Sequence, residues 1–270
     1  MTKLAFKQVD VFTSRPFRGN PVAVVIGAER LDGADMQRIA CWTNLSETTF
    51  LLPSAKADYR LRIFTPRQEL PFAGHPTIGS AHAALESGFV PKKSALRQEC
   101  GAGIIELTVE ADGRIFLRGP QAKLHPVDPP IPSIPLAPAA KVLKIDVGPV
   151  WVVGEMTGPQ ALAALQPDMT ALAEWTSSIH ATGVTVFARS AEGLHVRSFA
   201  PAHGINEDPV CGSGNLSVAT YLRETRGFSG EYVARQGMQL GRDGRVYVRV
   251  GREIDIGGHA VTCVDGTLAC

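Results

Sequence analysis

The feature that most constrains the fold is an internal repeat, because short segments of the first half of the chain return in the same order in the second half. Each match is weak alone, and the shared order makes the set informative. The matched pairs are Asn20-Pro-Val-Ala-Val-Val25 with Gly148-Pro-Val-Trp-Val-Val153, Thr48-Thr-Phe50 with Thr185-Val-Phe187, Arg62-Ile-Phe-Thr-Pro66 with Arg197-Ser-Phe-Ala-Pro201, and Ala73-Gly-His-Pro-Thr-Ile-Gly79 with Cys211-Gly-Ser-Gly-Asn-Leu-Ser217. Two copies are too few for a solenoid, so the sequence predicts two homologous lobes.

Both halves combine short strand patterns with one helix that is apolar on every side. Such a helix, predicted over residues 77–85 and again over 214–222, must be buried, so we expect an α/β (α+β) fold in which each lobe is a sheet curled around a central helix. The other predicted elements are strands at 9–12, 22–26, 49–52, 59–64, 151–153, 231–234, 245–250 and 260–263, and helices at 35–42 and near 159–165.

The segment from Val127 to Pro138 holds five prolines in twelve residues. Proline fixes φ and lacks a backbone donor, so this segment is predicted to be an extended linker or lobe boundary. We therefore expect an N-terminal lobe at 1–125 and a C-terminal lobe at 126–270, with a crossover near 120–145 and chain ends that can exchange between the lobes.

Composition excludes several classes of protein. The chain has 27 Lys+Arg against 26 Asp+Glu and no basic stripe, so no nucleic-acid partner is expected. It has no apolar run near the ~20 residues that span a bilayer, and its first residues do not resemble a secretory signal, so a cytoplasmic location is expected and no membrane partner. The cysteine number is odd and no Cys-x-x-Cys pair exists, which argues against a disulfide framework and a metal site.

Candidate chemistry gathers at the turn that precedes each central helix. These turns, Phe72-Ala-Gly-His-Pro76 and Val210-Cys-Gly-Ser-Gly214, leave helical N–H groups without partners and so suit an anion. If the lobes face each other, both helix starts point into one cleft, where a small carboxylated metabolite would bind.

Ionisable side chains lie beside the same turns. Glu47 precedes a strand, His75 lies in the first turn, and Asp208 precedes the second. A buried Glu47 with a raised pKa would move a proton between two carbons without a metal or an organic cofactor, while Asp208 and His75 orient the substrate and balance charge. Each of these residues also has a purely structural interpretation: Glu47 could be a solvated or capping residue, and His75 and Asp208 could be turn residues. Ser46 and Ser213 are in the same way candidate helix caps.

These segments resemble the PhzF-like (phenazine biosynthesis) family of the diaminopimelate-epimerase superfamily. The resemblance is carried by Val9-Asp-Val-Phe-Thr, Arg18-Gly-Asn-Pro-Val-Ala-Val, Asn44-Leu-Ser-Glu-Thr-Thr-Phe, Arg62-Ile-Phe-Thr-Pro, Glu69-Leu-Pro-Phe-Ala-Gly-His-Pro-Thr-Ile-Gly, Arg197-Ser-Phe-Ala-Pro and Glu207-Asp-Pro-Val-Cys-Gly-Ser. It implies two pseudo-symmetric lobes, each a curved mixed β-sheet around a central helix, with the active site between them. It also implies a cofactor-independent isomerase and a homodimer.

The resemblance assigns a role to each candidate. The acid/base glutamate falls on Glu47, and the histidine, aspartate and serine of the site fall on His75, Asp208 and Ser213. Backbone N–H groups near Gly74, Gly212 and Ser213 would hold the substrate carboxylate, with Ser46 and Cys211 beside them.

One departure from the family pattern opens a second hypothesis. Phenazine-type members carry Thr at the position of Cys211 and Ala-His in place of Gly214-Asn215, whereas Cys-Gly-Ser-Gly resembles the second catalytic cysteine motif of the epimerases. A racemase or epimerase would use Glu47 and Cys211 as opposed bases, the thiol pKa being lowered at a helix N-terminus. The first epimerase thiol position holds Ala73 here. A non-catalytic metabolite-binding protein is the third hypothesis.

Overall fold

The computed structural model describes residues 3–127 and 130–270. Met1 and Thr2 of the N-terminal segment, and Asp128 and Pro129 of the proline-rich segment, lie outside the described residues. Contacts within the chain divide it into two units. The first consists of the chain up to Arg118 together with Gly257–Cys270, and the second is Gly119–Ile256. Strands and helices alternate in both units, so the predicted mixed α/β class is confirmed.

The first unit contains strands of one sheet and two helices. Its elements are β1 Lys3–Val11, β2 Asn20–Ile26, α1 Gly33–Thr43, β3 Thr48–Leu52, β4 Tyr59–Phe64, β5 Glu69–Leu70, α2 Gly74–Glu86, β6 Ala95–Cys100, β7 Gly103–Val109 and β8 Ile115–Arg118, with β18 Ala260–Ala269 from the end of the chain.

The second unit repeats this order with one more helix. Its elements are β9 Lys123–Pro126, β10 Val142–Asp146, β11 Val150–Glu155, α3 Pro159–Ala164, α4 Met169–Ser178, β12 Gly183–Ser190, β13 Gly193–Ala200, β14 Ile205–Asp208, α5 Gly212–Arg226, β15 Gly230–Gln236, β16 Gly244–Val250 and β17 Ile254–Gly258.

The strand pairings repeat as well. In the first unit β18, β1 and β2 pair antiparallel, β2 pairs parallel with β3, β3 antiparallel with β4, and β4 parallel with β6. In the second unit β9, β10 and β11 pair antiparallel, β11 parallel with β12, β12 antiparallel with β13, and β13 parallel with β15. The segment repeat therefore corresponds to a repeated mixed-sheet topology.

Both central helices are buried on all sides, as their apolar composition predicts. Each one approaches its sheet at a glycine. A Cβ on Gly79 of α2 would lie 2.5 Å from Cγ1 of Val22, and a Cβ on Gly214 of α5 would lie 2.6 Å from Oγ of Ser198. Since neither contact leaves room for a side chain, these glycines allow the two helices to pack directly against their sheets.

An arginine–glutamate pair recurs at the matched position of each unit. Nε and Nη2 of Arg62 donate to the Glu69 carboxylate, both at 2.7 Å, and those of Arg197 donate to Glu207 at 2.9 and 2.8 Å. Each guanidinium also lies 5.0 Å from the ring of the phenylalanine two residues later. The repeated Arg-x-Phe-x-Pro segment thus encodes a repeated bidentate ion pair, exposed in the first unit and buried in the second.

A buried glutamine ties the start of each central helix to the sheet. Nε2 of Gln98 on β6 donates to Oγ1 of Thr77 on α2 at 3.1 Å. Oε1 of Gln236 on β15 accepts from Nδ2 of Asn215 on α5 at 2.9 Å, and its amide donates to a backbone carbonyl, that of Asp208, at 3.0 Å. Both glutamines have no solvent exposure. They hold the turns that carry the predicted site residues.

The proline-rich segment, in its described residues, has no helix or strand, which agrees with an extended chain. It is nevertheless packed, since Ile131 and Ile134 join the buried core of the second unit with Val152 and Leu172. Across the described part of the chain, no helix combines the length and apolar character needed to cross a membrane.

Candidate active site

Glu47 is set by the short turn that links α1 to β3. The helix ends at Asn44, whose φ of 54° is left-handed and whose N–H bonds the Ala40 carbonyl. The backbone carbonyl of Glu47 then accepts from the N–H of Ala23 on β2, at 3.4 Å, as the chain enters the parallel pair of β2 and β3. The backbone of Glu47 is therefore held by the sheet. The prediction that Ser46 caps a helix N-terminus is wrong, because the strand β3 follows it and no helix begins there.

The carboxyl of Glu47 is largely withdrawn from solvent. Its side chain is 15% exposed, and the Oε2 atom is buried without a hydrogen bond from the described residues. This burial raises the pKa of Glu47 to about 7, while a hydrogen bond with the Ser46 side chain opposes the rise. A carboxyl with this pKa is present in both protonation states near neutral pH, as a group that both takes and returns a proton must be.

His75 lies in the first turn of α2, beside that carboxyl. Its Nε2 is 3.4 Å from Oε2 of Glu47, and its side chain is 9% exposed. The helix begins at Ala73, which has no side chain able to cap it, and the space next to Gly74 is open. The start of α2 consequently presents backbone N–H groups and the positive end of the helix dipole near the contact of His75 with Glu47.

The other predicted residues come together in the second unit, at the start of α5. Cys211 caps this helix: its Sγ accepts from the N–H of Gly214 at 3.3 Å, so Ser213 is not the cap. Asp208, at the end of β14, accepts from the N–H of Val210 at 3.0 Å through Oδ1. Gly212 and Ser213 form the first residues of the helix, with Ser213 partly exposed.

Trp151 is a further polar contact of this cluster, and sequence reasoning missed it. The indole Nε1 donates to Oγ of Ser213 at 3.0 Å, and the ring is 3% exposed. The two residues are far apart in the chain and meet only because β11 lies against α5. In the sequence, Trp151 is part of a short strand pattern, and nothing near it in the chain indicates a hydrogen bond to Ser213.

The thiol of Cys211 does not have the lowered pKa expected at a helix N-terminus. Burial raises the pKa of Cys211 well above its usual value, and the Asp208 charge raises it further, against smaller opposite effects of hydrogen bonds with Ser213 and Gly214. The burial of Cys211 and the direction of its pKa shift therefore argue against an activated thiolate at this helix start.

Comparison with known proteins places the chain in a family. The family model described as "Phenazine biosynthesis-like protein" matches residues 9–266. The chain belongs to this family.

Relatives within the phenazine biosynthesis-like family match nearly end to end. Antisense-enhancing sequence 1 of Schizosaccharomyces pombe is 41% identical, over 98% of this chain and 99% of that protein. The trans-2,3-dihydro-3-hydroxyanthranilate isomerase of Pseudomonas aeruginosa is 35% identical, over 89% of this chain and 88% of that protein. A crystal structure of a PhzF-family phenazine biosynthesis protein from Bacillus anthracis superposes with a TM-score of 0.89 at 26% identity, covering all of both chains.

Membership of the family agrees with the resemblance found in the sequence motifs. The structure brings Glu47, Ser46 and His75 together in one unit, and Asp208, Cys211 and Ser213 together in the other. Glu207, next to Asp208, accepts a hydrogen bond from Arg197 and therefore has a structural role. Over residues 3–127 and 130–270, no three His, Cys, Asp or Glu side chains are grouped as a metal would require.

Proposed function

We propose that this protein is an isomerase that moves a proton between two carbons of a small carboxylated substrate, with Glu47 as the acid/base group. The observation that carries the proposal is the buried Glu47 carboxyl, with a pKa of about 7, beside His75. The names of the curated relatives support the reaction class, since several are isomerases of trans-2,3-dihydro-3-hydroxyanthranilate.

The reaction needs one group that acts first as base and then as acid. The Glu47 carboxylate takes a proton from a carbon activated by conjugation, and the C–H electron pair shifts the double bond. The protonated carboxyl then returns the same proton to the carbon at the far end of the conjugated system. Atoms and electrons balance within the substrate, so no cofactor is required. Burial favours the neutral carboxyl, which makes Glu47 a stronger base than an exposed glutamate.

The remaining predicted residues are assigned to substrate binding. His75 orients Glu47 and balances charge. In the first unit, the N–H of Gly74 is assigned to anion binding. In the second unit, the N–H of Gly212 and the hydroxyl of Ser213 are assigned to carboxylate binding, and Asp208 accepts a hydrogen bond from a polar group of the substrate. The support for this step is the start of α2, which no side chain caps, and the partly exposed Ser213 at the start of α5.

Two other functions remain as outcomes of the tests. A racemase with Glu47 and Cys211 as opposed bases is disfavoured by the burial of Cys211, which raises the pKa of its thiol. A non-catalytic metabolite-binding protein would need the same polar groups without the proton transfer. Exchange of a carbon-bound hydrogen of the substrate with solvent would identify the isomerase, because a protein that only binds the metabolite does not catalyse it.

The experiment uses trans-2,3-dihydro-3-hydroxyanthranilate in D₂O, with NMR detection of product and of deuterium at carbon. We expect isomerisation and, because an exposed fraction of Glu47 allows the proton to exchange, partial deuterium incorporation. Glu47→Gln keeps the shape and removes the base, so turnover falls by at least on the order of 100-fold. Glu106→Gln, at an exposed glutamate of β7, is the control. Full turnover of Glu47→Gln would exclude the assignment.

A homodimer and a cytoplasmic location remain predictions. The first rests on the family resemblance and is tested by sedimentation equilibrium, with a monomer mass as the contrary result. The second is tested by fractionation of cells that express this protein, with recovery outside the cytoplasmic fraction as the contrary result.

A further inference from the structure

The ring of Trp151 occupies a space that the second unit makes for it. In the parallel pair of β11 and β12, Trp151 stands opposite Gly183. A Cβ on Gly183 would lie 2.7 Å from Cζ3 of the indole and 2.1 Å from the carbonyl oxygen of Phe199. The repeat places Ala23 at the matched position of the first half. The indole is thus a feature of the second unit alone, and its orientation is fixed by packing.

The indole sets the direction of a short chain of hydrogen bonds. An indole N–H only donates, so Oγ of Ser213 is the acceptor at 3.0 Å and must send its own hydrogen elsewhere. Its neighbour on that side is Sγ of Cys211 at 3.5 Å. The thiol in turn donates to the Asp208 carboxyl, because this hydrogen bond favours the protonated thiol and so raises the pKa of Cys211. The hydrogen bonds therefore run in one direction: Trp151 donates to Ser213, Ser213 donates to Cys211, and Cys211 donates to Asp208.

We propose that Trp151 is a positioning and specificity-determining residue, whose N–H keeps the Ser213 hydroxyl a donor and so selects a carboxylate at that place in the substrate. The proposal rests on the proposed function, which supplies the carboxylated substrate. When a carboxylate oxygen approaches, the Ser213 hydrogen turns to it from the sulfur. This exchange is favourable because a carboxylate is a far stronger acceptor than a thiol sulfur.

The same arrangement gives Cys211 a role that needs no ionisation. Its thiol caps α5 through Gly214, accepts from Ser213 and donates to Asp208. It therefore holds the Asp208 carboxyl in place beside the helix start. In this account the cysteine is a hydrogen-bonding link rather than a base, and its position between a serine and an aspartate explains why a residue with a donor and an acceptor stands there.

The first arm of the test needs no ligand. In protein labelled with ¹⁵N-tryptophan, the indole N–H signal of Trp151 is assigned by its loss in Trp151→Phe. We expect slow exchange of this N–H with D₂O, in contrast to the 79% exposed Trp42, and a shift of the signal in Ser213→Ala. A Trp151 signal that exchanges as fast as that of Trp42, or that stays unmoved in Ser213→Ala, would overturn the proposal.

The second arm compares two ligands by calorimetry: 3-hydroxyanthranilate and its neutral carboxamide. We expect Trp151→Phe to weaken the carboxylate about ten-fold and the carboxamide by less than about two-fold. The matched control is Trp175→Phe, a partly buried tryptophan of the same unit that packs against its apolar core. If Trp151→Phe weakened the binding of both ligands equally, Trp151 would have only a structural role and the proposal would be overturned. If the unmodified protein binds neither ligand, the proposed substrate class fails, and the NMR arm still decides whether Trp151 holds Ser213 as a donor.

Discussion

Oε2 of Glu47 lies 3.4 Å from Nε2 of His75, and both side chains are less than one-sixth exposed. The two groups come from different elements, since one precedes β3 and the other begins α2. The contact joins a carboxyl whose pKa is raised by burial to an imidazole that is able to donate to it when the carboxyl is ionised. It is the arrangement on which the proposed proton transfer depends, and several consequences can be measured.

The raised pKa of Glu47 makes folding stability depend on pH. The folded protein holds this proton up to about pH 7, whereas the unfolded chain releases it near 4.5. The folded state is therefore favoured below pH 4.5, and this advantage is lost as the pH rises to about 7. Above that pH we expect Glu47→Gln to be more stable than the unmodified protein by up to about 3 kcal/mol. Below pH 4.5 the gain disappears.

Urea unfolding at pH 4 and pH 8 measures this difference, with Glu106→Gln as the matched control in the same unit. A Glu47→Gln variant whose stability change is the same at both pH values would show that burial does not perturb this carboxyl.

The two matched ion pairs differ in burial and should differ in stability. Arg197 and Glu207 are 4% and 8% exposed, and Nη1 of Arg197 also donates to the carbonyls of Leu162 and Leu165. Glu207→Ala leaves a buried guanidinium without its carboxylate, so we expect a loss of about 3–5 kcal/mol.

The corresponding change in the first unit serves as the comparison. The side chains of Arg62 and Glu69 are 23% and 43% exposed, so Glu69→Ala should cost less than about 1 kcal/mol. Both values come from chemical denaturation at one pH. Equal losses in the two variants would mean that the repeated sequence confers equal burial, contrary to the structure.

The state of Cys211 is tested by alkylation. Cys41 and Cys270 are exposed, whereas Cys211 is buried and its pKa is raised. Since the thiolate is the reactive form, we expect iodoacetamide at pH 8 to label Cys211 at least about 100-fold more slowly than Cys41. Mass spectrometry of timed digests gives the rates. Labelling of Cys211 at the rate of Cys41, with loss of turnover, would instead favour the racemase with two opposed bases.

Much of the fold was predictable because local patterns carried it. The alternation in Tyr59–Phe64 gave β4 residue for residue, and the two helices apolar on every side proved to be α2 and α5. Helix α4 was missed although its signal was present: Asp168 caps it by accepting from Thr170 and Ala171. A search for capping residues ahead of mixed sequence would have found this helix.

The candidate site was predictable to a smaller degree. Glu47, His75, Asp208 and Ser213 were found from turn chemistry and from the family motifs. The contact of Trp151 with Ser213 and the raised pKa of Cys211 were not, because both arise from packing between elements distant in the chain. A helix N-terminus lowers the pKa of a thiol, whereas burial raises it. The sequence does not show how deeply Cys211 is buried, so it could not show which effect is larger.

The most direct test of the proposed acid/base role is the titration of the Glu47 carboxyl itself. In protein labelled with ¹³C at glutamate side-chain carboxyls, the Glu47 signal is identified by its absence in Glu47→Gln and followed by NMR from pH 4 to pH 9. We predict a midpoint at about 7. A midpoint near 4.5, the ordinary value for glutamate, would contradict the proposal that Glu47 is poised to take and return a proton.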